Sequence, residues 1–257
     1  MPREYTALVL AGTRPGGDPL AAHAGVTHKA LIEVGGVPML ARVLAALSAA
    51  PRVARIVVAI DRPEILAALP GCAKPVQVMQ AAAGPSASVA LALEREGAPL
   101  LVTTADHALL QPEWIAEFLD LAGDAEADAV VALARSEAVL AAAPGTQRTW
   151  LRFSDGAFSG CNLFLLRTTE AARIVQLWQS LEAARKRPMT LLKRLGFLQV
   201  LRYRLGMLSL SRALDRLGRI AGARLCHVVL ADGRAAIDVD KPADLELVRQ
   251  LVQHPSP

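Results

Sequence analysis

The sequence predicts an α/β protein of three layers, a mostly parallel mixed sheet with helices on both faces. Two observations predict it. Short apolar runs alternate with helical stretches from Tyr5 to Ala134, a β-α-β rhythm that lays strands parallel. Hydrophobic residues make up 53% and aromatics 4%, and the bulk is Ala, Leu and Val, which suits helices packed on a buried sheet. A chain of 257 residues can hold one such domain, and 1–257 reads as one, with a basic helical insertion at 185–224.

The elements follow in order. Tyr5 to Leu10 is an apolar run that ends at Ala11-Gly12 and reads as a buried first strand. Thr13 to His28 is a loop rich in Gly, Pro and Thr. Ala30 to Val34 resumes the apolar pattern, Gly35-Gly36-Val37-Pro38 is a turn, and Pro38 stands near the start of a helix from Met39 to about Ala49. Val53 to Ile60 is the next strand. Pro63 opens a short helix to Leu69, and Pro75 to Met79 is a strand. Ser86 or Ser88 starts a helix to about Glu96. Pro99 to Thr104 is a buried strand, Pro112 to Ala122 a helix, and Asp128 to Ala134 a strand. Trp150 to Phe153 and Cys161 to Leu166 read as paired strands joined by Ser154-Asp155-Gly156. Arg167 to Ala184 is a helix, Leu225 to Leu230 a strand, and Asp244 to Val252 the closing helix.

In such folds ligands gather beyond the carboxyl ends of the strands. Ala11-Gly12 and Ala105-Asp106 both fall there. A loop leaving a strand exposes backbone N–H groups to phosphate, and Gly12 lets a backbone or ligand come close. Arg14 and Lys29 carry charge that could neutralise phosphate. Asp106 meets the need of Mg²⁺, which takes one or two carboxylates and fills its shell with phosphate oxygens and water. His107 reads as a loop support rather than a catalyst. Asp244 reads as a cap on the final helix.

Three pieces occur in a telling order: Leu8-Val9-Leu10-Ala11-Gly12-Thr13-Arg14, then His28-Lys29-Ala30-Leu31, then Gly36-Val37-Pro38-Met39-Leu40. Together they resemble the signature of the MobA-like NTP transferases. These are nucleotidyltransferases of GT-A fold that include molybdenum-cofactor guanylyltransferases and sugar-phosphate nucleotidyltransferases. Their pattern is a Leu-Ala-Gly-Gly loop, an Arg, Lys-x-Leu, then Gly-x-Pro-Met-Leu. Here Thr13 replaces the second glycine and Arg14 comes early. The resemblance covers most of residues 5–170 and 225–250.

The resemblance implies a reaction and a site. An acceptor phosphate oxygen attacks the α-phosphorus of an NTP and pyrophosphate leaves, with Mg²⁺ or Mn²⁺ as cofactor. It implies that Leu10, Ala11, Gly12 and Thr13 form the nucleotide loop and that Lys29 and Arg14 contact phosphate. Asp106 would bind the metal. Asp240-Lys241-Pro242-Ala243-Asp244-Leu245 resembles the family's Asp-x-Pro-x-Asp-Leu ending, whose first Asp supplies the second carboxylate. Asp240 matches it, with Asp238 a close alternative. Gly84 and Ser88 match residues beside the nucleobase and ribose, though a plain helix cap explains them equally well. Gly160 and Asn162 resemble the acceptor-side wall, and an ordinary turn is the competing explanation. Two other functions are weighed: a glycosyltransferase of similar fold, and a non-catalytic nucleotide-binding or membrane-associated module. The first would place Asp-x-Asp where Asp106-His107-Ala108 stands.

The net charge is +4 and the pI about 9.2. The excess is concentrated in residues 185–224, where eleven Lys and Arg face the single acid Asp215. Three readings stand: a solvated basic face, contact with an anionic membrane, or a grip on the anionic acceptor. Nucleic acid is disfavoured, since only Phe197 and Tyr203 there could stack on bases. Cys72, Cys161 and Cys226 are widely spaced and odd in number, so neither a metal knuckle nor a disulfide framework is expected. With no signal-peptide core and no long apolar run, the expected location is cytoplasmic, any membrane contact being peripheral.

Overall fold

The computed structural model describes residues 4–13, 16–184 and 196–254; Arg14 and the basic stretch 185–195 lie outside them. The α/β architecture is as predicted. Ten strands are described: β1 (Tyr5–Leu10), β2 (Glu33–Val34), β3 (Val37–Pro38), β4 (Val53–Ile60), β5 (Val76–Gln80), β6 (Leu100–Thr104), β7 (Ala129–Arg135), β8 (Leu151–Phe153), β9 (Gly156–Leu166) and β10 (Leu225–Leu230). Eight of them form one sheet in the order β10-β7-β9-β6-β1-β4-β5, with β8 paired to β9 alone; β2 and β3 make a separate hairpin. Strands β6, β1, β4 and β5 are parallel to one another, and β9 runs antiparallel between β6 and β7.

The described helices are α1 (Pro19–His23), α2 (Met39–Ala49), α3 (Glu64–Ala67), α4 (Pro85–Glu96), α5 (Pro112–Gly123), α6 (Ser136–Ala142), α7 (Ala171–Ala184), α8 (Phe197–Arg204), α9 (Leu210–Ala221) and α10 (Pro242–Gln253). They cover both faces because alternate residues of a strand point to opposite sides. Ala7 and Val9 of β1 join Leu40 and Leu47 of α2, Ile115 and Phe118 of α5 and Val248 of α10. Leu8 faces the other way and packs with Val89 of α4 and Val175 of α7. Each fully buried side chain of this size contributes about 1.5–3 kcal/mol relative to exposure.

Several boundaries differ from the sequence reading. The second arm of the hairpin begins at Gly156, not Cys161, because β9 bonds to β6, β7 and β8 along its length. Helix α7 starts at Ala171 rather than Arg167, and α4 at Pro85, ahead of both serines. Helices α1 and α6 lie in stretches read as loop or left unassigned.

A close approach carries the chain from the sheet edge back to its centre. After edge strand β10, Gly233 lies backbone against backbone on α6: a Cβ there would fall 2.2 Å from the Ala138 carbonyl oxygen. Only glycine permits this contact, and residues 237–240 follow directly. We expect Gly233→Ala to destabilise the fold by about 3 kcal/mol through overpacking against backbone. Urea denaturation would measure it, and an unchanged midpoint would contradict the contact.

Candidate active site

The carboxyl ends of β1, β4, β5 and β6 open on one rim, where a cleft of about 810 Å³ lies. Its walls include Leu10, Ala11, Gly12, Thr13, Lys29 and Asp106. Gly12 is required by a neighbouring strand end as much as by any ligand: a Cβ on it would stand 2.9 Å from the Ala81 Cβ.

Lys29 is the centre of the charge arrangement. Its Nζ donates to Asp106 Oδ2 at 2.7 Å and to Asp240 Oδ1 at 2.9 Å. Two carboxylates separated by more than half the chain therefore meet one ammonium. The fold causes this directly. Asp106 follows the end of β6, and the Val239 N–H donates to the Asp106 carbonyl at 3.1 Å, stitching the second segment to the first. Asp244 then fixes Asp240: its Oδ2 accepts from the Asp240 N–H at 3.1 Å and the Lys241 N–H at 3.0 Å. The cap predicted for Asp244 is thus also a brace for Asp240. Burial opposes the charge on Lys29, but Asp106 and Asp240 outweigh it and hold its pKa above the usual lysine value.

Asp238 is engaged differently. It forms an ion pair with Arg148 and accepts from Asn162 Nδ2 at 2.9 Å, and Arg148 also donates to the Asp238 carbonyl at 2.8 Å. Burial pushes the Asp238 carboxyl up, Arg148 opposes the rise, and Asp106 and Asp240 add to it. Asp240, half-exposed beside Lys29, therefore faces the cleft cation, while Asp238 is held by Arg148 and Asn162.

Thr13 and His28 belong to a second array that the sequence reading missed. Asp61 Oδ1 accepts from the Thr13 N–H at 2.9 Å and lies 3.2 Å from His28 Nε2. His28 Nδ1 accepts from the Ala30 N–H at 3.1 Å, so Nε2 carries the proton and donates to Asp61. Burial works against the charge on Asp61, but the Thr13 N–H and His28 outweigh it and keep its carboxyl below the usual carboxylate range. The nucleotide-loop candidate and the segment carrying Lys29 are thereby tied to β4. The signal was available: Asp61 follows an apolar strand just as Asp106 does. Arg148 lay in an unassigned stretch and gave none.

Other candidates are placed as follows. Ser88 is buried, and its Oγ accepts from the Ala82 N–H at 3.0 Å; Gly84 caps α4 and borders the cleft. Glu182 of α7 reaches over the same place. It accepts from the Ser86 hydroxyl, and its Oε1 lies 3.0 Å from where a Gly84 side chain would begin. Asn162 lines the cleft, but Gly160 does not. The β7–β9 register shifts between Val131 and Leu133, and opposite that shift Asn162 adopts φ 48°. The bulge aims Asn162 at Asp238 and leaves Gly160 in the regular ladder opposite Leu133. His107 is fully buried and stacked on Trp114 at 6.1 Å; burial lowers its pKa to about 4, so it is a neutral packing residue.

The residues fit a divalent cation. Asp106 Oδ1 is buried with no hydrogen-bond partner among the described residues, and Lys29 Nζ sits where a cation would bridge Asp106 and Asp240. Among the described residues no group of three or more His, Cys, Asp or Glu side chains is placed to hold a metal ion, so the protein would supply the two carboxylates of Asp106 and Asp240.

This winding of the sheet, with the cleft at the carboxyl rim of its central strands, is that of an α/β protein whose ligand site lies at the strand ends. The chain belongs to the MobA-like NTP transferase family, whose domain matches residues 7–219. A transferase structure from Thermus thermophilus, titled hypothetical, is 32% identical, with a TM-score of 0.80 over 94% of this chain and 99% of its own. Two more distant structures share the fold. One is CMP:2-keto-3-deoxy-manno-octonic acid synthetase complexed with CTP, at 16% identity and TM-score 0.57 over 98% of each chain. The other is 2-C-methyl-D-erythritol 4-phosphate cytidylyltransferase, also from Thermus thermophilus, at 19% and 0.53 over 98% of this chain and 100% of its own. A search of curated protein sequences gives no match.

Proposed function

We propose that the protein transfers a nucleoside monophosphate from an NTP to a small phosphorylated acceptor and releases pyrophosphate. The observation that carries this is the meeting of Lys29, Asp106 and Asp240 in the cleft beside the Gly12 loop. An acceptor phosphate is already ionised at neutral pH, so the attacking oxygen needs no general base. Catalysis then rests on positioning and on charge. Asp106 and Asp240 would hold Mg²⁺ or Mn²⁺, which when bound neutralises phosphate charge and aligns the phosphates. Lys29, released from its two carboxylates, would turn its ammonium to phosphate. Asp61 and His28 would keep the Thr13 loop and Lys29 in register. Asn162 and Asp238 would border the acceptor.

The test is pyrophosphate release across the four NTPs with a panel of phosphorylated acceptors and Mg²⁺. Release that depends on the acceptor is expected. Absence of release with every pairing, or transfer from a nucleotide sugar instead, would overturn the reading.

Glu182 supports a choice of base. A carboxylate accepts but does not donate, so it favours a base that presents an amino group (cytosine, guanine or adenine) over uracil. The two fold relatives named for CTP or cytidylyl transfer make cytosine the first to try. We expect Glu182→Gln to lower kcat/KM for the preferred NTP relative to UTP by about tenfold, the loss of one charge-assisted hydrogen bond. Equal losses with all four NTPs would assign Glu182 to capping α4 instead.

A further inference from the structure

Helix α8 and the turn after it wear their apolar side chains on the outside. Leu198, Leu201 and Leu205 recur at the three- and four-residue spacing of a stripe made for burial. They are 55%, 40% and 62% exposed, and Met207 is 64% exposed. The other exposed large apolar residues are scattered singly, which needs no explanation; this cluster does.

The cluster is set in positive charge. Arg202 and Arg204 on α8 and Arg212 and Arg219 on α9 are exposed. From 183 to 214 the sequence contains no Asp or Glu. The start of α8 lies near α9, since a Cβ on Gly196 would stand 3.7 Å from Arg216 Nη2. The segment is also anchored. Tyr203 packs edge-on to Phe153 with ring centroids 5.3 Å apart, the Ser154 N–H donates to the Leu208 carbonyl at 2.9 Å, and the Leu210 N–H donates to Asp155 Oδ1 at 3.0 Å. That anchor is the β8–β9 turn. Because Phe158 pairs with Arg135 at the end of β7, the turn stands on the carboxyl rim, the side of the sheet that carries the cleft.

We propose that this face docks on the surface of an anionic phospholipid bilayer. Leu198, Leu201, Leu205 and Met207 enter the boundary between headgroups and acyl chains, and the arginines beside them meet lipid phosphates. No described helix is long and apolar enough to cross a membrane, so the contact is interfacial. Charge decides against a second copy of this chain as occupant: a two-fold contact would set these arginines against their own copies, with Asp215 the single acid of α8 and α9 to offset them. A headgroup layer supplies the opposite sign. Docking here turns the cleft side of the sheet toward the bilayer. The proposal stands apart from the reaction assigned above.

The experiment is flotation of the full-length protein with phosphatidylglycerol–phosphatidylcholine vesicles and with phosphatidylcholine vesicles, at low and high salt. Co-flotation with the anionic vesicles alone is expected, weakened by salt as the screening length falls below about 10 Å. Leu205→Glu with Met207→Glu should reduce vesicle partition by about tenfold or more, from lost apolar burial, and leave the melting temperature unchanged. Three results would overturn the proposal. One is no flotation at low salt. Another is flotation indifferent to the double substitution, which would mean adsorption by charge alone. The third is a solution dimer that the double substitution dissociates.

Discussion

Asp106→Asn should lower kcat/KM for nucleotidyl transfer by about 10²–10³-fold, the scale on which loss of one transition-state charge contact acts, while the protein stays folded. The amide keeps the size of the carboxylate but removes the charge that a divalent cation needs. It also exchanges for an amide nitrogen one of two acceptor oxygens: Oδ1, buried with no partner among the described residues, or Oδ2, which holds Lys29 at 2.7 Å. Pyrophosphate release at saturating Mg²⁺ measures the loss, and calorimetry checks the fold. A rate within about threefold of the native protein would leave Asp106 without a part in the chemistry.

Lys29→Met should act on both activity and stability. With the ammonium gone, Asp106 and Asp240 lose the positive charge they share. Breaking a buried ion pair costs about 3–5 kcal/mol. Here the Asp106 side chain is 19% exposed and Asp240 50%, so solvent screening reduces the expected loss to about 1–2 kcal/mol. The same change removes the ammonium that Asp106 and Asp240 share, from the position proposed for the metal. Mg²⁺ added to the metal-free variant should therefore raise its melting temperature more than it raises that of the native protein, which must first give up the Lys29 contacts. Activity should fall by about 10²-fold or more even with Mg²⁺ present, because the phosphate loses its lysine. Coincident melting shifts in the two proteins would refute a shared cation position.

Local patterns were legible where one physical cause acts. The apolar runs of β1, β4 and β10 and the helix from Met39 to Ala49 were read to the residue, since each is an apolar stretch bounded by polar or turn residues. Strand β9 was read short. Ser159 and Gly160 look like a turn in isolation, and only pairing with β7 makes them strand. Helix α6 escaped because its Ala-rich stretch has little periodicity; the packing of Val139 and the backbone of Gly233 against it give it its place.

The same division holds in the cleft. The order of the three N-terminal pieces and the acids at 106 and 240 marked the family and named the central residues, because strand-end loops and helix entries are local features. What the tertiary structure decided is which charges touch. Lys29 lies between Asp106 and Asp240, Asp238 is held by Arg148, and Asp61 ties Thr13 to His28. Those pairings cross 33 to 211 residues of chain, and no local propensity encodes a distance of that kind. They follow from which strands are neighbours in the sheet and where the Gly233 crossing delivers the C-terminal segment.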